Sequence, residues 1–302
     1  MRSSTAPAWP PPAALPLPAR SLQIEMRIFV TGNRGQLGRE LMRAFPEHAV
    51  DGGDLPELDV TDADSTRRTI EAARPDVVVH AAALTDTRLC EDDPELAHRV
   101  NGLGTRNVAI ACRDAGAALV YVSTNEVFDG LKGEPYVESD EPNPINAYGR
   151  SKLEGEEEAR ALVERLDIVR TAWLYGGGSR DFPSKILAAV SQQPELTVVT
   201  DEIATPTFAR DLAEAIAQLV ERRVYGVYHF TNSGACSRFE WAREVLRLAG
   251  RSDVVLKPTT MAAYNPYPPK PSYTVIRNEA GAKIGIALRP WQDALIEHLA
   301  SP

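Results

Sequence analysis

Tyr148 and Lys152 stand four residues apart at the start of a helix-forming stretch, so both side chains leave one face of the helix a turn apart. A free phenol has a pKa of about 10, too high for efficient proton exchange at neutral pH, and a neighbouring ammonium favours the phenolate and lowers that value. The pair therefore suits general acid–base work, in which a donor serves best when its pKa approaches the working pH. Lys152 can also hold the ribose hydroxyls of a bound nucleotide, linking the ligand's position to the acid. Spacing alone is weak evidence, and the surroundings give it weight. The preceding strand ends in Ser123-Thr124, where a hydroxyl can hydrogen-bond the substrate oxygen beside the tyrosine.

A second group is made of backbone. The first strand runs into Gly32-Asn33-Arg34-Gly35-Gln36-Leu37-Gly38, a Gly-x-x-Gly-x-x-Gly loop that opens a helix. Glycines there permit a tight turn and close approach, and the first amides of the helix bind a pyrophosphate. Asp54 follows about 20 residues later, where a ribose-binding carboxylate is expected, and favours NAD. Arg34, inside the loop, can pair with a 2′-phosphate through its guanidinium, with Arg39 as a further candidate. The balance leans to NADP(H), with NAD(H) as the alternative. The small-residue run Ala81-Ala82-Ala83 completes the cofactor side.

These residues need a scaffold that brings strand ends together. From Met26 onward short apolar runs at 27–31, 76–81, 118–123, 168–171, 196–200 and 227–230 alternate with helix-length stretches such as 37–45, 95–114, 147–164 and 208–222. That alternation predicts an α/β chain with a doubly wound, Rossmann-type parallel sheet and a smaller C-terminal substrate-binding part. The glycine loop, Ala81–Ala83 and Thr124 all fall at the carboxyl ends of strands, where open sheets bind ligands. We expect a dinucleotide-binding domain over 26–175, rejoined by 209–232, and a substrate-binding part over 176–208 and 233–302. Ser237-Arg238-Phe239-Glu240 has the form of a capping box and starts a late helix that ends by Gly250. The stretch 257–272, with five prolines and flanked or occupied by Tyr264, Tyr267 and Tyr273, reads as an irregular substrate-side loop.

Composition narrows the function classes. The 302 residues carry 33 basic and 42 acidic side chains, a net charge of −9, so no basic stripe for nucleic acid exists. The three cysteines, Cys90, Cys112 and Cys236, are too far apart in sequence for a Cys-x-x-Cys site, and the five histidines form no His-x-x-x-His pair; no metal site is expected. A reducing, cytoplasmic setting follows. No apolar run reaches the length of a membrane span. The prolines within 1–25 predict a disordered extension, with Met26 as an alternative start of translation. A homodimer is compatible with the sequence.

Thr-Gly-x-x-Gly-x-x-Gly at the end of the first strand, the small residues after 76–81, Ser123-Thr124 and Tyr-Gly-Arg-Ser-Lys at 148–152 together resemble the extended short-chain dehydrogenase/reductases, and more narrowly the dTDP-4-dehydrorhamnose reductase family. Segments 30–41, 75–83, 122–130, 143–156, 169–175, 205–207 and 288–295 carry the likeness, which spans nearly everything after Met26. The resemblance implies a catalytic triad of Thr124, Tyr148 and Lys152. It implies hydride delivery from the nicotinamide to the 4-keto carbon of a dTDP-sugar, with Tyr148 protonating the nascent alkoxide. It also implies that Asn101 helps organise the site, that Ser123, Tyr148 and Lys152 touch the cofactor, and that Thr85, Trp173, Phe182, Pro206, Thr207 and Lys270 sit toward the nucleotide-sugar; for Trp173 and Phe182 core packing is an equal alternative. The chain departs from the family pattern at Thr87-Arg88, Asn125-Glu126, Glu202 and Lys270. Glu126 lies at the crevice edge where the family has an aromatic, and we expect its carboxylate to read sugar hydroxyls.

Two alternatives remain open at this stage. A sugar-nucleotide epimerase or dehydratase would use the same Tyr/Lys pair while recycling its nicotinamide. A non-catalytic dinucleotide-binding regulatory subunit would need no proton donor, so the presence of Thr124, Tyr148 and Lys152 argues against it.

Overall fold

The computed structural model describes residues 25–177 and 181–300, so the Pro-rich extension expected at 1–25 lies outside the described residues apart from its last position. The main strands are β1 (Arg27–Thr31), β2 (Ala49–Gly53), β3 (Val77–His80), β4 (Ala118–Thr124), β5 (Leu166–Thr171), β6 (Glu195–Val199), β7 (Gly226–His229) and β8 (Val255–Thr259). The longer helices are α1 (Gln36–Ala44), α2 (Ala63–Ala73), α3 (Gly104–Ala115), α4 (Ala147–Leu162), α5 (Phe182–Val190), α6 (Ala209–Arg222), α7 (Arg238–Leu248) and α8 (Trp291–Ala300).

β1, β3, β4 and β5 are near-continuous apolar runs buried on both faces, which only a sheet covered by helices on two sides allows. They form a six-stranded parallel sheet in the order β7-β5-β4-β3-β1-β2. Leu37 and Leu41 of α1 pack with Leu212, Ile216 and Leu219 of α6 on one face. Ile70 of α2, Val108 and Cys112 of α3 and Ala159 of α4 cover the other. The fold is thus α/β and Rossmann-type. The chain reverses its winding between β1 and β3, so the crevice opens at their carboxyl ends, between the glycine loop and the residues following β3 and β4.

A separate apolar cluster joins Ile186 and Val190 of α5, Leu196 and Val198 of β6, Trp241 and Val245 of α7, and Trp291 and Leu295 of α8. Its buried Trp241 carries the partly covered rings of Trp173 and Phe182, both stacked on it. The late helix begins at Ser237 with both bonds of the capping box in place.

Four local expectations are corrected. β2 was not foreseen, because Ala-Val-Asp-Gly-Gly carries little apolar pattern and is recruited by pairing with β1. The stretch 95–114 is not one helix: a single turn (Pro94–Ala97) leads into a π-helical turn (His98–Leu103) and then α3. The run 196–200 is a strand outside the main sheet, paired in parallel with β8. The segment 257–272 accordingly opens as strand, and a short helix, Met261–Tyr264, follows. Pro258 is tolerated because β8 lies in a two-stranded sheet and has an edge that needs no donor.

Candidate active site

Gly32 closes β1 at φ +70°, where a Cβ would sit 2.7 Å from the Ala82 nitrogen. The loop can therefore lie directly on Ala81–Ala82, while the Ala82 amide donates to the Thr31 hydroxyl at 3.3 Å. A Cβ on Gly38 would overlap the Gly32 carbonyl. α1 starts with Gly35 as its N-cap, without a side-chain cap and without an acidic residue in its first turn. Its first amides are thus available to an anion, which the helix dipole favours. Asn33 Oδ1 and Gln36 Nε2 beside them are buried without a hydrogen-bond partner. This is the form of a pyrophosphate cradle.

At the far end of the loop, Asp54 accepts the Arg34 amide at 3.1 Å and the Leu55 amide at 2.8 Å. The Arg34 guanidinium donates to the Leu55 carbonyl at 2.9 Å and pairs with Glu57 at 2.9 Å, both partners exposed. Arg34 and Asp54 thus meet at one place, while Arg39 reaches away to the Gly177 carbonyl.

The catalytic edge is made by a close approach. Asn146 caps α4, its Oδ1 accepting the Gly149 amide at 2.8 Å, and a Cβ on Gly149 would overlap the Glu126 carbonyl. The start of α4 is so pressed against the end of β4, and Tyr148 lies near the Thr124 hydroxyl, which itself donates to Asn125 Oδ1 at 3.3 Å. Thr124 also caps the one-turn 3-10 helix Asn125–Val127 by accepting the Glu126 amide at 3.2 Å. Tyr148, partly covered, packs with Leu84 and Cys90. Lys152 is 2% exposed and lays its ammonium over the Tyr121 ring at 4.2 Å.

The electrostatics differ from the sequence expectation. Burial raises the Tyr148 pKa, the Glu126 carboxylate raises it further, and the nearby Thr124 hydroxyl pulls it back. Burial also draws Lys152 down to about 7, against the pull of Glu156. Desolvation therefore outweighs the lowering expected from the ammonium. A phenol held neutral suits a donor.

Other expected residues fall in distinct places. Asn101, in the π-helical turn, accepts the Leu84 amide at 2.9 Å and donates to the Leu84 carbonyl and the Ser151 hydroxyl, each at 3.0 Å, so it ties the loop after β3 to α4. Ser123 faces inward and donates to Glu156 at 2.7 Å. Thr85 is exposed on the loop after β3. Glu126 finds partners inside the protein: Asn146 Nδ2 at 2.7 Å and the Lys270 ammonium at 3.7 Å, with Lys270 also donating to Thr87 at 3.1 Å. Trp173 has φ +43°, a conformation that costs energy for a bulky residue, and the Arg238 guanidinium covers its ring at 3.6 Å. Phe182 stacks on Trp241 at 4.5 Å. Pro206 and Thr207 are buried, and the Thr207 amide donates to the Trp173 carbonyl at 3.2 Å. Sequence reasoning missed Asn146, Glu156 and Arg238. The first had a signal, an Asn directly before the helix; Glu156 and Arg238 have their bonded or stacked partners, Ser123 and Arg170 for one and Glu202 and Trp173 for the other, at a distance in sequence.

The RmlD substrate binding domain family matches residues 26–301. The chain belongs to this family. Along this RmlD-type chain, a spore coat polysaccharide biosynthesis protein of Bacillus subtilis is 36% identical over 275 residues, covering 90% of this chain and 96% of the relative. A dTDP-4-dehydrorhamnose reductase of Mycolicibacterium smegmatis is 36% identical over 289 residues, covering 94% of this chain and 88% of its own. The crystal structure of dTDP-4-dehydrorhamnose reductase from Bacillus anthracis in complex with NADP superposes with a TM-score of 0.89 at 33% identity, over 92% of this chain and all of that one. Among the described residues no helix is long and apolar enough to cross a membrane.

Proposed function

We propose that this RmlD-family chain reduces the 4-keto group of a dTDP-activated deoxysugar, dTDP-4-dehydrorhamnose to dTDP-rhamnose, with NADPH as the favoured reductant and NADH as the alternative. The observation that carries the reading is the packing of the start of α4, with Tyr148 and, one turn along, buried Lys152, against the carboxyl end of β4 at Thr124, on the same sheet edge as the glycine loop. The end-to-end likeness to reductases named for that substrate, one of them solved with NADP, supports it.

The bound nicotinamide supplies the hydride. Gly32, Gly35 and Gly38 let the loop and the first amides of α1 (Gln36, Leu37) hold the pyrophosphate, and Asp54 and Arg34 receive the adenosine ribose and its 2′-phosphate. Thr124 hydrogen-bonds the sugar oxygen, Tyr148 donates its phenolic proton to that oxygen as charge develops there, and Lys152 offsets the phenolate left behind. Trp173, Phe182, Lys270 and Glu126 border the space for the nucleotide-sugar, and the cluster around α5, α7 and α8 supplies that side. Free, buried cysteines accord with work in the cytoplasm.

The test is a mass-spectrometric assay with NADPH and a panel of 4-keto nucleotide sugars. One NADPH oxidised per sugar reduced supports the reading. Sugar conversion without net oxidation would assign the chain to the epimerases or dehydratases, and cofactor binding with no turnover of any sugar would make it a binding subunit.

A further inference from the structure

Tyr148, Lys152, Glu156 and Arg160 follow one another at four-residue steps along α4, which sets them on one face. Glu156 is 1% exposed and densely held. Its Oε1 accepts the Ser123 hydroxyl at 2.7 Å and Arg170 Nε at 2.9 Å, and its Oε2 accepts Arg170 Nη2 at 2.7 Å. Arg160, half-exposed, approaches Oε2 at 3.5 Å. Arg170, on β5, is 2% exposed, and its Nη1 lacks a hydrogen-bond partner.

The seam between α4, β4 and β5 therefore buries Arg170 in an ion pair with this carboxylate, and Lys152, equally buried, stands one helical turn away on the same face. A buried charge is costly unless it is compensated, and Glu156 is the carboxylate on the face of α4 that carries Lys152. The groups facing Lys152 from the other packed elements are neutral: the Tyr121 ring on β4, the Tyr148 phenol on its own helix, and His80 on β3, which burial draws down to about 3.

We propose that Glu156 is a positioning residue for the reduction: fixed by Ser123 and Arg170, its carboxylate keeps Lys152 in the ammonium form one helical turn from Tyr148. The proposal rests on the reading that Tyr148 and Lys152 act as a pair. It gives Ser123 a role through Glu156 in addition to the cofactor contact expected from sequence. With Lys152 buried and burial opposing its charge, the loss of the carboxylate one turn along the same face is expected to favour the neutral amine.

The direct test is to titrate the lysine side chains by NMR of protein labelled with 13C at lysine Cε, the Lys152 signal being assigned by its loss in Lys152→Met. Glu156→Gln is expected to lower the Lys152 proton affinity about tenfold or more, the effect of removing a nearby opposite charge. The double variant Glu156→Gln/Arg170→Met is expected to titrate between Glu156→Gln and wild type, because it removes a repelling cation as well. Glu156→Asp, which keeps the charge, is expected to stay near wild type. The alkaline limb of kcat, which reports loss of the ammonium, should move to lower pH in the same order. A Lys152 titration unchanged in folded Glu156→Gln overturns the proposal. If that variant does not fold, the double variant, which leaves neither member of the Glu156–Arg170 pair buried alone, decides: an unchanged titration there overturns it equally. The titration needs no turnover, so an altered Lys152 in a protein whose Tyr148→Phe variant stays fully active would sink the catalytic pair and leave the electrostatic link standing.

Discussion

Gly32 and Gly38 do their work through atoms they lack: each leaves room for backbone that a methyl group would displace. Across the crevice, Thr87, Glu126 and Lys270 do theirs through charges and hydroxyls that reach one another from three separate stretches of chain. The glycine-loop side is thus made of closely approaching backbone, and the side around Glu126 of long-range side-chain contacts. Backbone cradles accept any ligand with the right anion, whereas paired side chains discriminate, since a buried polar group left unmatched is expensive. The same contrast separates what one residue can alter: a change among the side-chain pairs should shift preference between sugars, and a change at the donor should remove the reaction with the fold intact.

The largest effect is expected at the donor, where the two sides meet. Tyr148→Phe removes one hydroxyl, so turnover measured in single-turnover mode should fall about 10² to 10⁴-fold while NADPH affinity stays close to wild type. Retention of more than roughly a tenth of the rate would take Tyr148 out of its role.

A smaller effect probes the charged side chain of the glycine loop. Arg34→Ala should weaken NADPH by roughly tenfold and leave NADH little changed, as titration of both cofactors by fluorescence would show. Because Glu57 holds the guanidinium in the structure, Glu57→Gln should move the preference the other way, toward NADPH. Equal losses for both cofactors on replacing Arg34 would mean that the cradle is backbone throughout.

The smallest effect concerns the opposite side. Glu126 and Lys270 are partly exposed and 3.7 Å apart, so solvent screens the pair, and a double-mutant cycle of Glu126→Gln with Lys270→Met should show a stability coupling of only ~0.2–1 kcal/mol. The informative readout is kcat/KM across several 4-keto sugars. A reordered ranking supports a specificity role for the pair; a uniform fall places it in the scaffold.

The sequence made legible whatever depends on near neighbours. The glycine loop, the Tyr148/Lys152 spacing and the capping box at Ser237 are local patterns whose geometry follows from a strand-to-helix turn or one helical turn. It did not disclose β2, whose Ala-Val-Asp-Gly-Gly becomes strand only by lying against β1. Nor did it show what Ser123 does, since its partner Glu156 is 33 residues away and is fixed in turn by Arg170 on the neighbouring strand. Glu126 was legible as an oddity but not as a paired group, because Lys270 arrives from a distant proline-rich segment. The Tyr148 pKa was misjudged for the same reason: the spacing announces an ammonium, and only the packed structure shows how strongly burial opposes ionisation.

The most direct measurement is the fate of a labelled hydride. The protein is incubated with dTDP-4-dehydrorhamnose and NADPH in which both hydrogens at nicotinamide C4 are deuterium, and the sugar product is analysed by NMR and mass spectrometry. The account predicts one deuterium at sugar C4 for each NADPH oxidised, in a transfer that Tyr148→Phe slows at least a hundredfold, the lower bound of about 10² for general acid catalysis. Sugar turnover with the NADPH left unoxidised, or deuterium at any other sugar carbon, would contradict it.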